Sequence, residues 1–251
     1  MYLAITCEKS SMGKQSHIEW TDGTHNFWYG CKKVSQGCKG CYAEREMTRY
    51  GKHFSVVTRA KGFDAPLRWK EPRKVFVNSW SDFFIEEADD WRDEAWGIIK
   101  RTRHLSYQIL TKRPERIEQC LPQYWGSGWP NVWLGVTVEN QEMVDTRLPW
   151  LLDIPAAVRF ISAEPLLEPL TLSRMLPDIT WCIVGGESGP GARRMPLSWV
   201  RSIRDQCAAA GVPLFVKQLS GASSRPLKDL ENFPIDLQIR EFPEQQLSPA
   251  I

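Results

Sequence analysis

The stretch Val132-Trp-Leu-Gly-Val-Thr-Val-Glu-Asn140, followed by Gln141-Glu-Met-Val-Asp-Thr-Arg-Leu-Pro-Trp-Leu-Leu152 and then by Val158-Arg-Phe-Ile-Ser-Ala-Glu164, decides the fold class. The first run is apolar and β-branched almost without a break, as in a strand buried on both faces. The second opens with an acidic turn and is long enough for a helix. The third is another buried strand. Strand, helix and strand at this spacing make a βαβ unit, which implies a parallel sheet.

The same alternation runs outward in both directions. Strands are expected at 17–21, 74–78, 106–111, 132–138, 158–163, 181–184 and 213–217. Helices are expected at 42–50, 88–102, 114–119, 141–152, 166–176 and 196–210, the last stopped by Gly211. Nearly every strand ends in polar residues: Asn78-Ser-Trp-Ser-Asp82, Thr111-Lys-Arg113, Thr137-Val-Glu-Asn140, Ser162-Ala-Glu164, Gly185-Gly-Glu-Ser188 and Lys217-Gln218. In a (β/α) barrel these ends share the one face that carries chemistry. The expected fold is therefore α/β, a partial (β/α) barrel of about six or seven parallel strands over residues 12–220. Residues 1–11 show no periodicity and read as a disordered extension, which makes Met12 a second candidate start; residues 221–251 read as a peripheral segment and tail.

Composition removes other classes. Of 251 residues, 42% are hydrophobic and 25% charged, with 17 Gly and 17 Pro, so a collagen-like or disordered chain is excluded. No apolar run is long enough to span a bilayer and no secretion signal opens the chain, so a cytoplasmic protein without a membrane partner is expected. The formal charge of +2 does not by itself mark a nucleic-acid binder. Seven Cys, an odd number, argue against a disulfide framework.

Three of them form the strongest motif, Cys31-x6-Cys38-x2-Cys41, in a loop with Gly30, Gly37 and Gly40 that leads into the helix starting at Tyr42. Thiolates bind soft metals, so ligation of an iron–sulfur cluster or of zinc follows from the residue types. Three Cys on a [4Fe-4S] cluster leave one iron open, whereas structural zinc takes four protein ligands. His17, His25 or Cys182 would have to supply the fourth in a zinc site. Cys7, Cys120 and Cys207 read as small apolar residues.

Several motifs in one order, Met12-Gly-Lys-Gln-Ser-His-Ile-Glu-Trp-Thr-Asp22, the three cysteines with Tyr42-Ala43, Leu110-Thr-Lys-Arg-Pro-Glu-Arg116, Leu134-Gly-Val-Thr-Val-Glu-Asn140, Ser162-Ala-Glu-Pro-Leu-Leu167, Val184-Gly-Gly-Glu-Ser-Gly-Pro190 and Phe215-Val-Lys-Gln218, resemble the phage-associated three-cysteine-motif proteins of uncharacterised function. Those proteins are similar, at a distance, to radical S-adenosylmethionine enzymes such as spore photoproduct lyase, and occur in phages, prophages and bacteria. The resemblance implies a radical-SAM-like barrel in which Cys31, Cys38 and Cys41 hold a [4Fe-4S] cluster. Its open iron would chelate S-adenosylmethionine, and an external electron donor would drive reductive cleavage. The spacing departs from the usual C-x3-C-x2-C by three residues in the first gap. Gly40 stands where an aromatic is usual, and Gly185-Gly186-Glu187 follows a late strand rather than the second.

Around that centre, Asp82 is a candidate acceptor for the cofactor's ammonium group. Glu164, held extended before Pro165, is aimed inward or else caps the segment from Leu166. Glu139, at another strand end, and Glu187, in a glycine-rich turn, join the candidate cofactor-binding residues. Lys112, Arg113, Arg193, Arg194 and Lys217 ring the same rim and suit a carboxylate or phosphate. With Trp28, Tyr29 and Trp80 they suit a nucleotide or DNA base as substrate. His25 and His53 read as structural or exposed. Two other functions stay open: a zinc- or cluster-stabilised nucleic-acid-binding module without catalysis, and a barrel acting only with a genomically associated partner protein.

Overall fold

The chain runs β1 (Gly23–His25), β2 (Trp28–Tyr29), α1 (Tyr42–Arg49), β3 (Thr58–Arg59), β4 (Arg73–Val77), α2 (Asp89–Arg101), β5 (Leu105–Thr111), β6 (Val132–Thr137), α3 (Gln141–Leu152), β7 (Val158–Ala163), β8 (Trp181–Gly185), α4 (Leu197–Ala210) and β9 (Leu214–Gln218). These elements come from a computed structural model that describes residue 16, residues 18–220 and residues 226–244. Seven strands form one curled, wholly parallel sheet in the order β1-β4-β5-β6-β7-β8-β9, a half-barrel. β2 and β3 pair separately as a short antiparallel ribbon.

The pleat sorts the strand residues into two populations. On the convex face Val75, Val77, Tyr107, Ile109, Leu134, Val136, Ile161, Cys182, Val184, Leu214 and Val216 pack against the helices in the main core. On the concave face Phe76, Trp133, Phe160, Trp181, Ile183 and Phe215 meet one another and Trp20 in a second cluster. Both faces are apolar, which is why the strands read as continuous runs. The half-barrel closes over its own aromatic layer because Gly135 leaves room: a Cβ there would lie 2.5 Å from the Phe160 ring.

Three expected elements take another form, two of them because distant parts of the chain claim their backbone groups. Residues 18–21 form a turn, Thr21 N–H donating to Ile18 C=O at 3.2 Å, and the strand begins only at Gly23; residue 17 lies outside the described residues. The Asp22 carboxylate accepts the Lys74 N–H at 2.7 Å and so fixes where β1 meets β4. Residues 166–176 are not helical. Pro169 cannot donate to a helical ladder, and the Leu166 and Leu167 N–H groups donate instead to Gly185 and Glu139 carbonyls. Residues 114–119 form two separate 3-10 turns, Pro114–Arg116 and Glu118–Cys120. The expectations on 1–11, Cys7, Met12 and 221–225 lie outside the described residues.

The C-terminal segment has a role that composition did not suggest. Arg240 bridges Phe215 on the β9 edge, Glu241 C=O accepts the Trp181 indole N–H at 2.8 Å, and the Phe242 ring stacks on Trp181 with centroids 5.4 Å apart. Among the described residues no helix is long and apolar enough to cross a membrane.

His25, the last residue of β1, lies among Phe27 and Trp69 with its Nε2 3.2 Å from the Phe63 carbonyl oxygen. Burial pushes its pKa down to about 4, against smaller opposing effects of the Phe63 carbonyl and Asp64. The unfolded chain binds this proton near pH 6.5 and the folded chain does not, so His25 favours folding above that pH and its contribution fades as pH falls toward 4. We expect unfolding free energy to drop by about 2 kcal/mol from this group between pH 7 and pH 5. Denaturant titrations of wild type and His25→Gln at both pH values check this; equal pH slopes in the two proteins would refute it.

Candidate functional site

The cysteine loop follows β2 and is built on three Gly-Cys pairs, each glycine permitting a close approach. Gly30 has φ +94°, and a Cβ on it would lie 2.3 Å from the Val56 carbonyl oxygen. A Cβ on Gly37 would meet the Glu139 carboxyl at 2.9 Å, and one on Gly40 the Glu187 Oε1 at 2.4 Å. Bonds tighten the same approaches. Cys31 N–H donates to Phe54 C=O at 2.7 Å, and Gly37 N–H to Glu139 Oε1 at 3.2 Å. The Gln36 carbonyl accepts from Arg193 at 3.1 Å, and the Gly40 carbonyl from Arg45 at 2.7 Å. The loop ends at Cys41, where α1 starts and buries Ala43 and Met47 on one face.

The two carboxylates that hold the loop are themselves held. Glu139, with no exposure to solvent, accepts from Arg147 at 2.8 Å. Burial would raise its carboxyl, but the Arg147 charge, a Ser35 hydrogen bond and Lys112 outweigh it and keep the group below the usual range. Glu187 is held below that range chiefly by its hydrogen bond from Arg193, against burial. Arg147 went unnoticed in the sequence. Its signal was a charged residue at the apolar helical spacing of Val144, Leu148 and Leu151.

Asp82 is equally occupied. Its Oδ1 accepts from Phe84 N–H at 2.9 Å and the Thr111 hydroxyl at 2.7 Å; its Oδ2 accepts from Lys112 N–H at 2.9 Å and Arg113 at 3.1 Å. Arg113 also donates to Cys31 Sγ at 3.7 Å and to the Lys32 carbonyl at 2.8 Å. Burial pushes the free Cys31 thiol up to about 11, with Asp82 adding to the effect and Arg113 opposing it.

One cavity of about 160 Å³, open to a wider mouth, gathers these parts. Cys31, Cys38 and Cys41 form one wall; Trp20, Phe76 and Leu110 form the floor; Asn78, Asp82, Lys112, Thr137, Ser162, Glu164 and Lys217 stand at the strand ends. Glu139 and Glu187 are not lining residues but stand behind the cysteine loop. Three groups keep unused capacity. Lys112 Nζ has the Thr137 hydroxyl at 3.3 Å. The Lys217–Glu164 ion pair, Nζ to Oε1 3.0 Å, leaves lone pairs of the carboxylate and protons of the ammonium unused. Asn78, at φ +54°, accepts from Phe27 N–H at 2.8 Å, and its buried Nδ2 has no acceptor.

The other expected participants separate from this cavity. Trp28 is fully buried, its indole donating to the Asp82 carbonyl at 3.0 Å, so it offers no stacking face, whereas Tyr29 and Trp80 are half-buried. Arg193 is spent on Glu187, and Arg194 is exposed. His53 lines a second groove beside the first. Among the described residues no three His, Cys, Asp or Glu side chains come close enough to share one metal ion. His25 is turned into the core and Cys182 is buried on the convex face with Cys207.

A model of the family described as a protein of unknown function, DUF5131, matches residues 15–233. The chain belongs to that family. Its matched span contains every cavity-lining residue named above, while the segment that stacks Phe242 on Trp181 lies beyond it. No curated protein and no solved structure matches the chain.

The glycine contacts give a direct test. Gly37→Ala and Gly40→Ala should each destabilise the fold by about 1–3 kcal/mol, because a methyl group would displace a carboxylate that is itself bonded to arginine. Gly97→Ala, in α2 with nothing within 4 Å of its Cβ, should instead stabilise by about 0.5–1 kcal/mol. Denaturant midpoints decide; neutral Gly37 and Gly40 variants would show that the loop is not clamped this way.

Proposed function

We propose that the cavity is the reaction site of an iron–sulfur enzyme of the radical S-adenosylmethionine type, with a [4Fe-4S] cluster held by Cys31, Cys38 and Cys41. The observation that carries the reading is three soft thiols on one wall of a polar-rimmed cavity at the strand ends of a half-barrel. A structural zinc takes four protein ligands, and the three thiols supply only three. A cluster takes each cysteine at a different iron, so the donor set fits it. His25 and Cys182 stand elsewhere and do not complete a four-ligand zinc site.

Held by Cys31, Cys38 and Cys41, such a cluster would pass on an electron from an external donor, and the chemistry it would supply is reductive cleavage of S-adenosylmethionine for hydrogen abstraction from a substrate. The chain's own residues do the rest. Arg113, positioned by Asp82, places positive charge against Cys31 and offsets part of the cost of a thiolate there. Lys112 offers its ammonium to a carboxylate, and Glu164, ion-paired with Lys217, offers its remaining lone pairs to an ammonium group. Asp82, with four donors, acts as a positioning residue for Arg113. Glu139 and Glu187 act on the cofactor only through the loop they brace. The aromatic floor keeps bulk water from below the reacting atoms.

Anaerobic purification with iron, sulfide and zinc analysis is the test. About four irons and four sulfides per chain, with a visible band that bleaches on dithionite, is the expected result. Cys38→Ala should lose the iron while keeping the wild-type far-ultraviolet circular dichroism spectrum. One zinc and no iron would overturn the reading. Iron and sulfide with oligonucleotide binding but no reductive cleavage of S-adenosylmethionine would favour the cluster-stabilised binding module instead.

A further inference from the structure

We infer that the exposed face running from the cysteine loop over α1 to Lys61 is a docking surface for single-stranded nucleic acid. The corollary that the strand delivers a nucleotide to the cavity rests on the reaction-site reading; the docking itself does not. Charge is the first observation. Residues 31–61 hold eight Lys and Arg against two Glu, a formal +6 in a chain whose total is +2, so the rest of the molecule sums to −4. A near-neutral chain that concentrates its positive charge in one segment has the footprint of a polyanion site. Lys39, Arg49, Lys52, His53 and Lys61 are exposed. Lys32 is paired with Glu87, Lys33 with Glu44 at 2.7 Å, Arg49 with Glu46 at 3.4 Å and Arg59 with Glu94 at 2.6 Å; such exposed pairs are weak, and phosphates can replace the carboxylates.

Aromatic rings supply the second observation. Trp80 lies between Tyr29 and Tyr50, with centroids 5.8 Å from each, and the Lys52 ammonium sits 4.4 Å over the Tyr29 ring. Tyr50 leaves 64% of its surface in solvent. Ring faces at the surface beside cations are what unpaired bases stack on, whereas the bases of a duplex are already stacked on each other. Continuity is the third. A groove lined by Lys32, Lys33, Glu44, Lys52, His53 and Phe54 shares Cys31, Lys32, Lys33 and Phe54 with the main cavity, so the two openings are continuous from Lys52, which sits over the Tyr29 ring, to the thiols.

The experiment is fluorescence anisotropy of labelled oligothymidylate and oligouridylate of about 12 nucleotides on the full chain, across a salt series. Affinity should fall steeply as salt rises, and the single strands should bind more tightly than a duplex of equal length. Tyr50→Ala and Lys52→Glu should each weaken binding about 10-fold, the latter also lowering the salt slope. Arg174→Glu, an exposed cation outside the segment, should leave it unchanged. No binding at low salt, equal binding of duplex with a silent Tyr50→Ala, or preference for phosphatidylserine vesicles over the oligonucleotides would overturn the inference. No turnover is read, so failure here leaves the iron–sulfur reading standing, and an iron-free protein that binds the oligonucleotides removes that reading and not this one.

Discussion

Glu139 is a carboxylate with no access to water, and the largest offset to the cost of its burial is the charge of Arg147. Arg147 reaches it from α3 and also donates to the Thr137 carbonyl at the end of β6. The second carboxylate oxygen accepts from the cysteine loop. One charged pair therefore joins a central strand, its crossover helix and the loop that carries the thiols. Removing either partner would leave the other charge buried and unpaired, which costs about 3–5 kcal/mol in comparable pairs. Glu187 with Arg193 repeats the device from β8, and Asp82 with Arg113 from the end of β4. Three strand ends thus grip the loop from three sides, using ion pairs where apolar packing has no surface to work on.

The half-barrel divides its concave face by depth. Deep residues are aromatic and fill the space between the strands; residues nearer the strand ends are Thr137, Ser162, Glu164 and Lys217. A polar group placed among the rings would lose its water without gaining partners. Gln108 and Trp20, which do lie there, each keep one polar atom without a hydrogen bond. The floor therefore sets how far down a polar ligand can sit, and the cavity begins where side chains can still bond to one another or to what enters.

Much of this was legible in the sequence because parallel strands are buried on both faces and announce themselves as unbroken apolar runs. The strand 158–163 and the helix 141–152 agree with the structure residue for residue, and the polar strand ends do collect on one face. What failed was governed by partners distant in the chain. The turn at 18–21 depends on Asp22 meeting Lys74, and the non-helical 166–176 depends on donors taken by Glu139 and Gly185 carbonyls. Arg147 and Arg45 went unnoticed: the apolar spacing around Arg147 marks it as buried, but neither residue's neighbours in the chain name its partner, a buried carboxylate for one and backbone carbonyls for the other. The three Gly-Cys pairs were visible as a pattern, but the carboxylates that require Gly37 and Gly40 lie about a hundred residues and more away.

The half-barrel is an open sheet, and an open parallel sheet has two edges on which another chain can template itself. β1 is three residues long and offers little to pair with. β9 is longer, and the chain covers part of it with its own Arg240, while Phe242 and Glu241 seal Trp181 beneath. A chain shortened before Arg240 would bare the β9 edge beside a large indole. Its failure would be self-association in concentrated solution, with the cysteine loop and its clamps still intact.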